Sequence, residues 1–173
     1  MDEIQLVQPN ESYKEQILSY KAEFLANHDS MDGTANLIHF DTVEDWLAAL
    51  KDNSSPKTVR EGLVPASTYL GVRTSDHKVV GMIDIRHELN DYLLNFGGHI
   101  GYSVRKSERC KGYATRMLAL ALEECKKLHI NKVLITCDKE NLASSKTICR
   151  QGGILENEVL EDGCITQRYW VQL

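Results

Sequence analysis

Gly101-Tyr102-Ser103-Val104-Arg105-Lys106-Ser107-Glu108-Arg109-Cys110-Lys111-Gly112-Tyr113-Ala114-Thr115 decides the fold of this chain. It reads as a short strand ending at Val104, a basic loop, and the first turn of a helix. Ala114, Met117, Leu118, Ala121, Cys125 and Leu128 then recur at helical spacing, so one face of that helix packs on a sheet. Glu123 and Lys127 suit an i,i+4 pair on the wet side. A docked helix has a fixed N-terminus, where unpaired N–H groups and the positive end of the dipole favour anions. The loop carries Arg105, Lys106, Arg109 and Lys111 to that point. Gly112 spares an approaching ligand the bulk of a Cβ.

Outward from this unit the pattern alternates between strand and helix. Residues 4–7 read as a strand and 11–27 as a helix with Ile17, Leu18, Ala22, Phe24 and Leu25 on its apolar side. Residues 28–40 lack periodicity and read as a loop. Asp41-Thr42-Val43-Glu44-Asp45 is a helix start before Trp46, Leu47 and Leu50, and Asn53-Ser54-Ser55-Pro56 ends that helix. Residues 67–73 and 79–86 form a hairpin, and 98–104 is the strand that enters the basic loop. After the helix at 112–128 come a strand (132–137), a helix (142–151) and a closing hairpin (154–160 and 165–173) that turns at Asp162-Gly163. The expected fold is an α/β (α+β) domain: a mixed, mostly antiparallel sheet of about six to seven strands with helices on both faces. Residues 1–173 read as a single domain.

With 173 residues the chain buries a core without metal or disulfide staples. A net charge of −5 argues against a general nucleic-acid binder and makes the basic loop a local site on an acidic body. Met1-Asp2-Glu3 is acidic, unlike a secretion signal, and the longest apolar run, around residues 117–122, is far short of a bilayer span. The five cysteines form no CxxC pair, and Cys125 and Cys149 read as small buried hydrophobes. The expectation is a reduced, cytoplasmic protein with no metal, no nucleic acid and no membrane partner. Two edge hairpins make a homodimer plausible.

Neither GxxxxGK[ST] nor GxGxxG occurs, so the loop is not a P-loop or a dinucleotide fingerprint. Arg109-Cys110-Lys111-Gly112-Tyr113-Ala114 does match the R/Q-x-x-G-x-G/A signature of the GNAT superfamily of N-acetyltransferases. His99-Ile100-Gly101-Tyr102-Ser103-Val104 resembles that family's fourth strand, and Asn141-Leu142-Ala143-Ser144 its second motif. Gly152-Gly153 stands where members usually have Gly-Phe. The resemblance is specific from about residue 79 onward.

The resemblance implies acetyl-CoA as cosubstrate. Backbone groups of Val104 would pair with the pantetheine amides like an added strand. The N–H groups of Arg109, Cys110, Lys111, Gly112, Tyr113, Ala114 and Thr115 would bind the pyrophosphate. Asn141 and Ser144 would either touch the pantetheine arm or simply cap their helix. Arg105, Lys106 and Lys111 are either solvated loop charges or partners of the ribose phosphate.

Acetyl transfer to an amine requires a base, because an alkylammonium of pKa ~10.4 costs roughly 4 kcal/mol to deprotonate near neutral pH. His99 aligns with the position where many members carry glutamate. His87 and Glu88 end the preceding strand and could point into the same cleft. Glu156 and Glu158 alternate on one face of the sixth strand. The N–H of Val104 would stabilise the oxyanion by family analogy. One departure matters: many members carry a tyrosine seven residues after the asparagine, and here that residue is Ile148. Tyr102, Tyr169 or water would have to replace it as the acid. The expected reaction is acetyl transfer to a primary amine of a small molecule or peptide, by direct attack of the deprotonated amine. The alternatives are an acyl-CoA-binding regulatory domain with little or no turnover, and a phosphoprotein- or nucleotide-binding module.

Overall fold

A computed structural model describes residues 2–173. Seven strands form one sheet in the order β1-β2-β3-β4-β5-β7-β6. They are β1 (Ile4–Val7), β2 (Ala66–Arg73), β3 (Val79–Arg86), β4 (Ile100–Val104), β5 (Lys132–Asp138), β6 (Ile154–Glu161) and β7 (Cys164–Gln172). Every neighbouring pair is antiparallel except β4 and β5, which are parallel. Four helices cover the sheet: α1 (Lys14–Asn27), α2 (Val43–Asn53), α3 (Tyr113–Lys127) and α4 (Leu142–Arg150). This is the expected mixed, mostly antiparallel architecture.

Alternation along the strands sends side chains to two separate cores. On one face Ile17, Tyr20 and Phe24 of α1 and Val43 and Trp46 of α2 pack on Leu70, Val72 and Met82. On the other, Met117, Leu118, Ala121 and Cys125 of α3 and Ile148 of α4 pack on Ile83, Ile85, Val133 and Ile135. Fully burying each such Leu, Ile or Met side chain contributes about 1.5–3 kcal/mol. Thr42 caps α2 as expected, accepting the Asp45 N–H at 3.1 Å. Asp162 and Gly163 both have positive φ (47° and 83°), as a tight hairpin turn requires.

Several local expectations are corrected. Leu18 and Leu25 of α1 are exposed, and Tyr20 is buried in their stead. Leu128 is exposed, and the α3 pairs are i,i+3, Lys126 with Glu123 and Lys127 with Glu124. Cys149 is exposed whereas Cys137 is buried. Leu93–Gly97 forms a π-helical turn where only a chain break was expected. Among the described residues no helix is long and apolar enough to cross a membrane.

Candidate active site

β4 and β5 share only one ladder position, Ile100 with Ile135. Beyond it the two strands part. Arg86 N–H donates to the His99 carbonyl (2.7 Å) and Arg105 N–H to that of Val80 (3.0 Å), so the odd residues of β4 serve β3. By alternation Ile100, Tyr102 and Val104 turn their backbone groups toward β5, and past Ile100 no β5 partner meets them. Nε of Arg109 donates to the Val104 carbonyl at 2.9 Å. The Tyr102 and Val104 amides are left facing the gap. A cleft of about 1050 Å³ occupies it and runs through the sheet from one face to the other.

On the α3/α4 face the cleft meets the basic loop. The amides of residues 110–115 have no hydrogen-bond partner among the described residues, and Gly112, at φ 82°, caps α3 without a side chain. The Arg109 amide closes a turn on the Lys106 carbonyl at 3.3 Å, so the free run starts at Cys110 and not at Arg109 as expected. The four cations of the loop are all spent inside the protein. Arg105 is buried and pairs with Glu23 (2.6 Å), and Lys106 donates to Asn27 (2.9 Å). Arg109 pairs with Asp29 (3.0 Å), and Lys111 with Glu108 (2.8 Å).

Glu108 is the anchor of that loop. Its buried carboxylate also receives Arg73 at 2.9 Å and Lys78 at 2.6 Å. Burial resists its ionisation, but hydrogen bonds from Lys111 and Lys78 and the charges of Lys78 and Arg73 outweigh that and hold its pKa down to about 2. Cations still without an ion pair come from α4: Lys146 and Arg150 line the cleft on this face. Their distance in sequence from the loop hid them from sequence reasoning.

Asn141 caps α4 by accepting the Ser144 N–H at 3.1 Å, and both residues line the cleft. The Tyr102 hydroxyl lies 2.8 Å from Ser144 Oγ, and burial pushes its pKa up to about 12. Ile148 is fully buried among the α3/α4 packing residues.

His99 and Glu88 are not brought into the cleft wall. His99 is buried at the fork of the two strands. Its N–H donates to the Leu134 carbonyl (2.7 Å), and its Nδ1 accepts the Leu134 N–H (2.9 Å). Burial, then the charge of Arg86, lowers its pKa to about 4. Glu88 is exposed past the end of β3. His87 bonds Ser67 Oγ through Nε2 at 2.8 Å. Glu156 pairs with Arg168 and Glu158 with Lys139, both away from the cleft.

On the α1/α2 face the wall is the loop after α1 and the end of β3. Ser103 Oγ donates to the Asp32 carbonyl, and Gly33, at φ 69°, lies so close on β4 that a Cβ there would stand 2.2 Å from the Gly101 carbonyl oxygen. The Asp32 carboxylate accepts only from Ser30 Oγ (3.0 Å). Arg86 faces the same space.

A family model described as an acetyltransferase (GNAT) domain matches residues 16–153, most of the chain. The chain belongs to the GNAT acetyltransferases. No curated protein matches the sequence significantly. Solved structures carry the likeness across the whole GNAT fold. Mycobacterium smegmatis RimJ, in complex with CoA-disulfide, is 19% identical, with a TM-score of 0.68 over 98% of this chain and 81% of that one. The microcin C7 self-immunity acetyltransferase MccE, in complex with acetyl-CoA and AMP, is 19% identical, with a TM-score of 0.65 over 100% and 94%. A GNAT-family acetyltransferase from Streptococcus pneumoniae is 14% identical, with a TM-score of 0.67 over 99% and 100%. In this GNAT fold, the parted β4 and β5 and the unpaired amides at the start of α3 line one half of the cleft. The Asp32 loop and Arg86 line the opposite half.

Proposed function

We propose that this GNAT acetyltransferase moves the acetyl group of acetyl-CoA to a primary amine of a small molecule or peptide. The observation that carries the reading is the run of six unpaired amides, residues 110–115, beside the open edge of β4. Amides in that arrangement bind a pyrophosphate without loop cations, and Lys146 and Arg150 supply charge at its margin. Val104 and Tyr102 offer backbone groups to the pantetheine amides as an added strand does, and the Val104 N–H stabilises the oxyanion.

The remaining steps are two proton transfers. His99 and Glu88, the bases expected from the sequence, lie outside the cleft wall, and the His99 lone pair at Nδ1 is occupied. Asp32 is the cleft carboxylate on the α1/α2 face with no cation paired to it, and it takes the amine proton directly or through water. Tyr102, protonated at neutral pH and joined to Ser144, returns a proton to the departing thiolate. With a thiol pKa of about 8.5 the leaving group tolerates the loss of such an acid.

Titration calorimetry with acetyl-CoA, followed by thiol release across an amine panel, tests the reading. Saturable binding and turnover are expected. No binding of acetyl-CoA would sink it. The buried Ile148 at the usual acid position favours a second reading, an acyl-CoA-binding domain with little turnover. Binding without product across the panel would select it.

A further inference from the structure

We infer that the acceptor carries an anionic group in addition to its amine, and that this group docks on the guanidinium of Arg86; the substrate is a zwitterionic amine. The inference rests on the acetyltransferase reading and deepens it.

Arg86 follows Asp84 by two residues on β3, so both side chains lie on the α1/α2 face, as does Gly101 opposite Asp84. One edge of the guanidinium is ion-paired there. Nε lies 3.1 Å from Oδ2 of the buried Asp84, whose Oδ1 accepts from Thr68 Oγ1 at 2.7 Å. The other edge is open. Nη1 makes one long contact, 3.4 Å to the Gly97 carbonyl, and Nη2 has no partner in the chain. Among the described residues no buried side-chain nitrogen or oxygen lacks a partner, so Nη2 is accessible, on a residue that lines the cleft.

Other arginines of the fold are used differently. Arg105 donates to Glu23, Ser19 and Val79, and Arg168 to Leu94, Glu156 and Asn157. Arg86 in the cleft is ion-paired to Asp84 through Nε, while Nη2 is free and Nη1 has only its long contact to Gly97. That fork fits a carboxylate or a phosphate. Gly101 keeps it accessible, since a Cβ there would stand 3.4 Å from both Nη atoms. Across Gly101 lies the loop of Asp32, whose carboxylate has no cation, whereas Asp29 is neutralised by Arg109. Opposite charges therefore flank the mouth of the β4–β5 gap. An ammonium toward Asp32 and an anion on Arg86 satisfy both.

The test compares matched acceptors: free L-amino acids with their amides, and O-phosphoethanolamine with ethanolamine. Each pair is followed by thiol release and by calorimetric titration into the CoA-bound protein. Prior titration with acetyl-CoA checks the donor reading separately; its failure indicts the acetyltransferase assignment, not Arg86. With acetyl-CoA bound, one anionic form is expected to win over its neutral partner by about tenfold to a hundredfold, mainly in KM or Kd. The winning pair says whether the group is a carboxylate or a phosphate. Arg86→Lys keeps a counter-charge for Asp84 and so preserves the fold, but loses the fork, and the ratio falls toward one. If no anionic form outcompetes its neutral partner by rate or by titration, or if the preference survives Arg86→Lys, the inference is overturned.

Discussion

Nδ1 of His99 accepts the Leu134 N–H, so the neutral ring carries its proton on Nε2, and a second proton would break the bond. Its folded pKa of about 4 lies below the unfolded value of about 6.5, so the unfolded chain takes up the proton first as pH falls. The stabilisation is complete above pH 6.5 and is lost toward pH 4, on the order of 3 kcal/mol in all. The thermal midpoint should therefore drop between pH 6.5 and 5, above the carboxylate range, and His99→Gln should flatten that slope. An unchanged slope would deny His99 this role. Tyr102→Phe should lower kcat by about tenfold, below the usual hundredfold or more of general acid catalysis, because a thiol leaves fairly well unaided. A kcat equal to that of the native protein would assign the proton to water.

At the scale of elements, the loop before α3 is held from below by one carboxylate. Glu108→Gln should cost about 2–3 kcal/mol. That is less than the loss of a fully buried pair, because Lys78 and Lys111 are partly solvated. Acetyl-CoA affinity should fall with it, read by calorimetry beside a denaturant curve. Gly112→Glu puts a side chain and a negative charge at a residue with φ 82°, and should abolish acetyl-CoA binding outright. Retained affinity in that variant would mean the phosphates sit elsewhere. The elements themselves were legible from the sequence, since periods of 2 and 3.6 mark strands and helices locally. What the loop's cations do was not. Arg105, Lys106 and Arg109 find Glu23, Asn27 and Asp29 some 82, 79 and 80 positions away, and no local pattern announces such pairs. Arg86 is hidden for a similar reason: a charged residue at a strand end reads as solvent-facing, and only the fold brings its guanidinium beside Gly101.

For the whole molecule, ligand binding and stability are linked. Acetyl-CoA at a hundredfold excess over its Kd should add about 2.7 kcal/mol, raising the thermal midpoint by roughly 5–10 °C in a domain of this size. A midpoint indifferent to acetyl-CoA would contradict a preformed site. The family resemblance read from the loop agrees with the fold of the entire chain, because the unpaired amides of that loop depend on a docked helix, and the cleft beside them on a parted strand pair and a second helix. The sequence was least informative about the half of the cleft on the α1/α2 face. There Gly33 on Gly101, the Asp32 carbonyl on Ser103 and the π-turn behind Arg86 are all contacts between distant segments.

The single ladder position between β4 and β5 has a mechanical meaning. The sheet is two leaves, β1–β4 and β5–β7, stitched at the fork by Ile100–Ile135 and by the reciprocal bonds of His99 and Leu134. A pantetheine arm threaded down the seam would supply the rungs that β5 withholds, acting as a splint between the leaves. Hydrogen exchange at the Tyr102 and Val104 amides should then be fast in the free protein and slow once acetyl-CoA is bound, while β2 and β3 exchange alike in both. The enzyme would be stiffest while its donor is loaded, and would loosen along that seam when CoA departs.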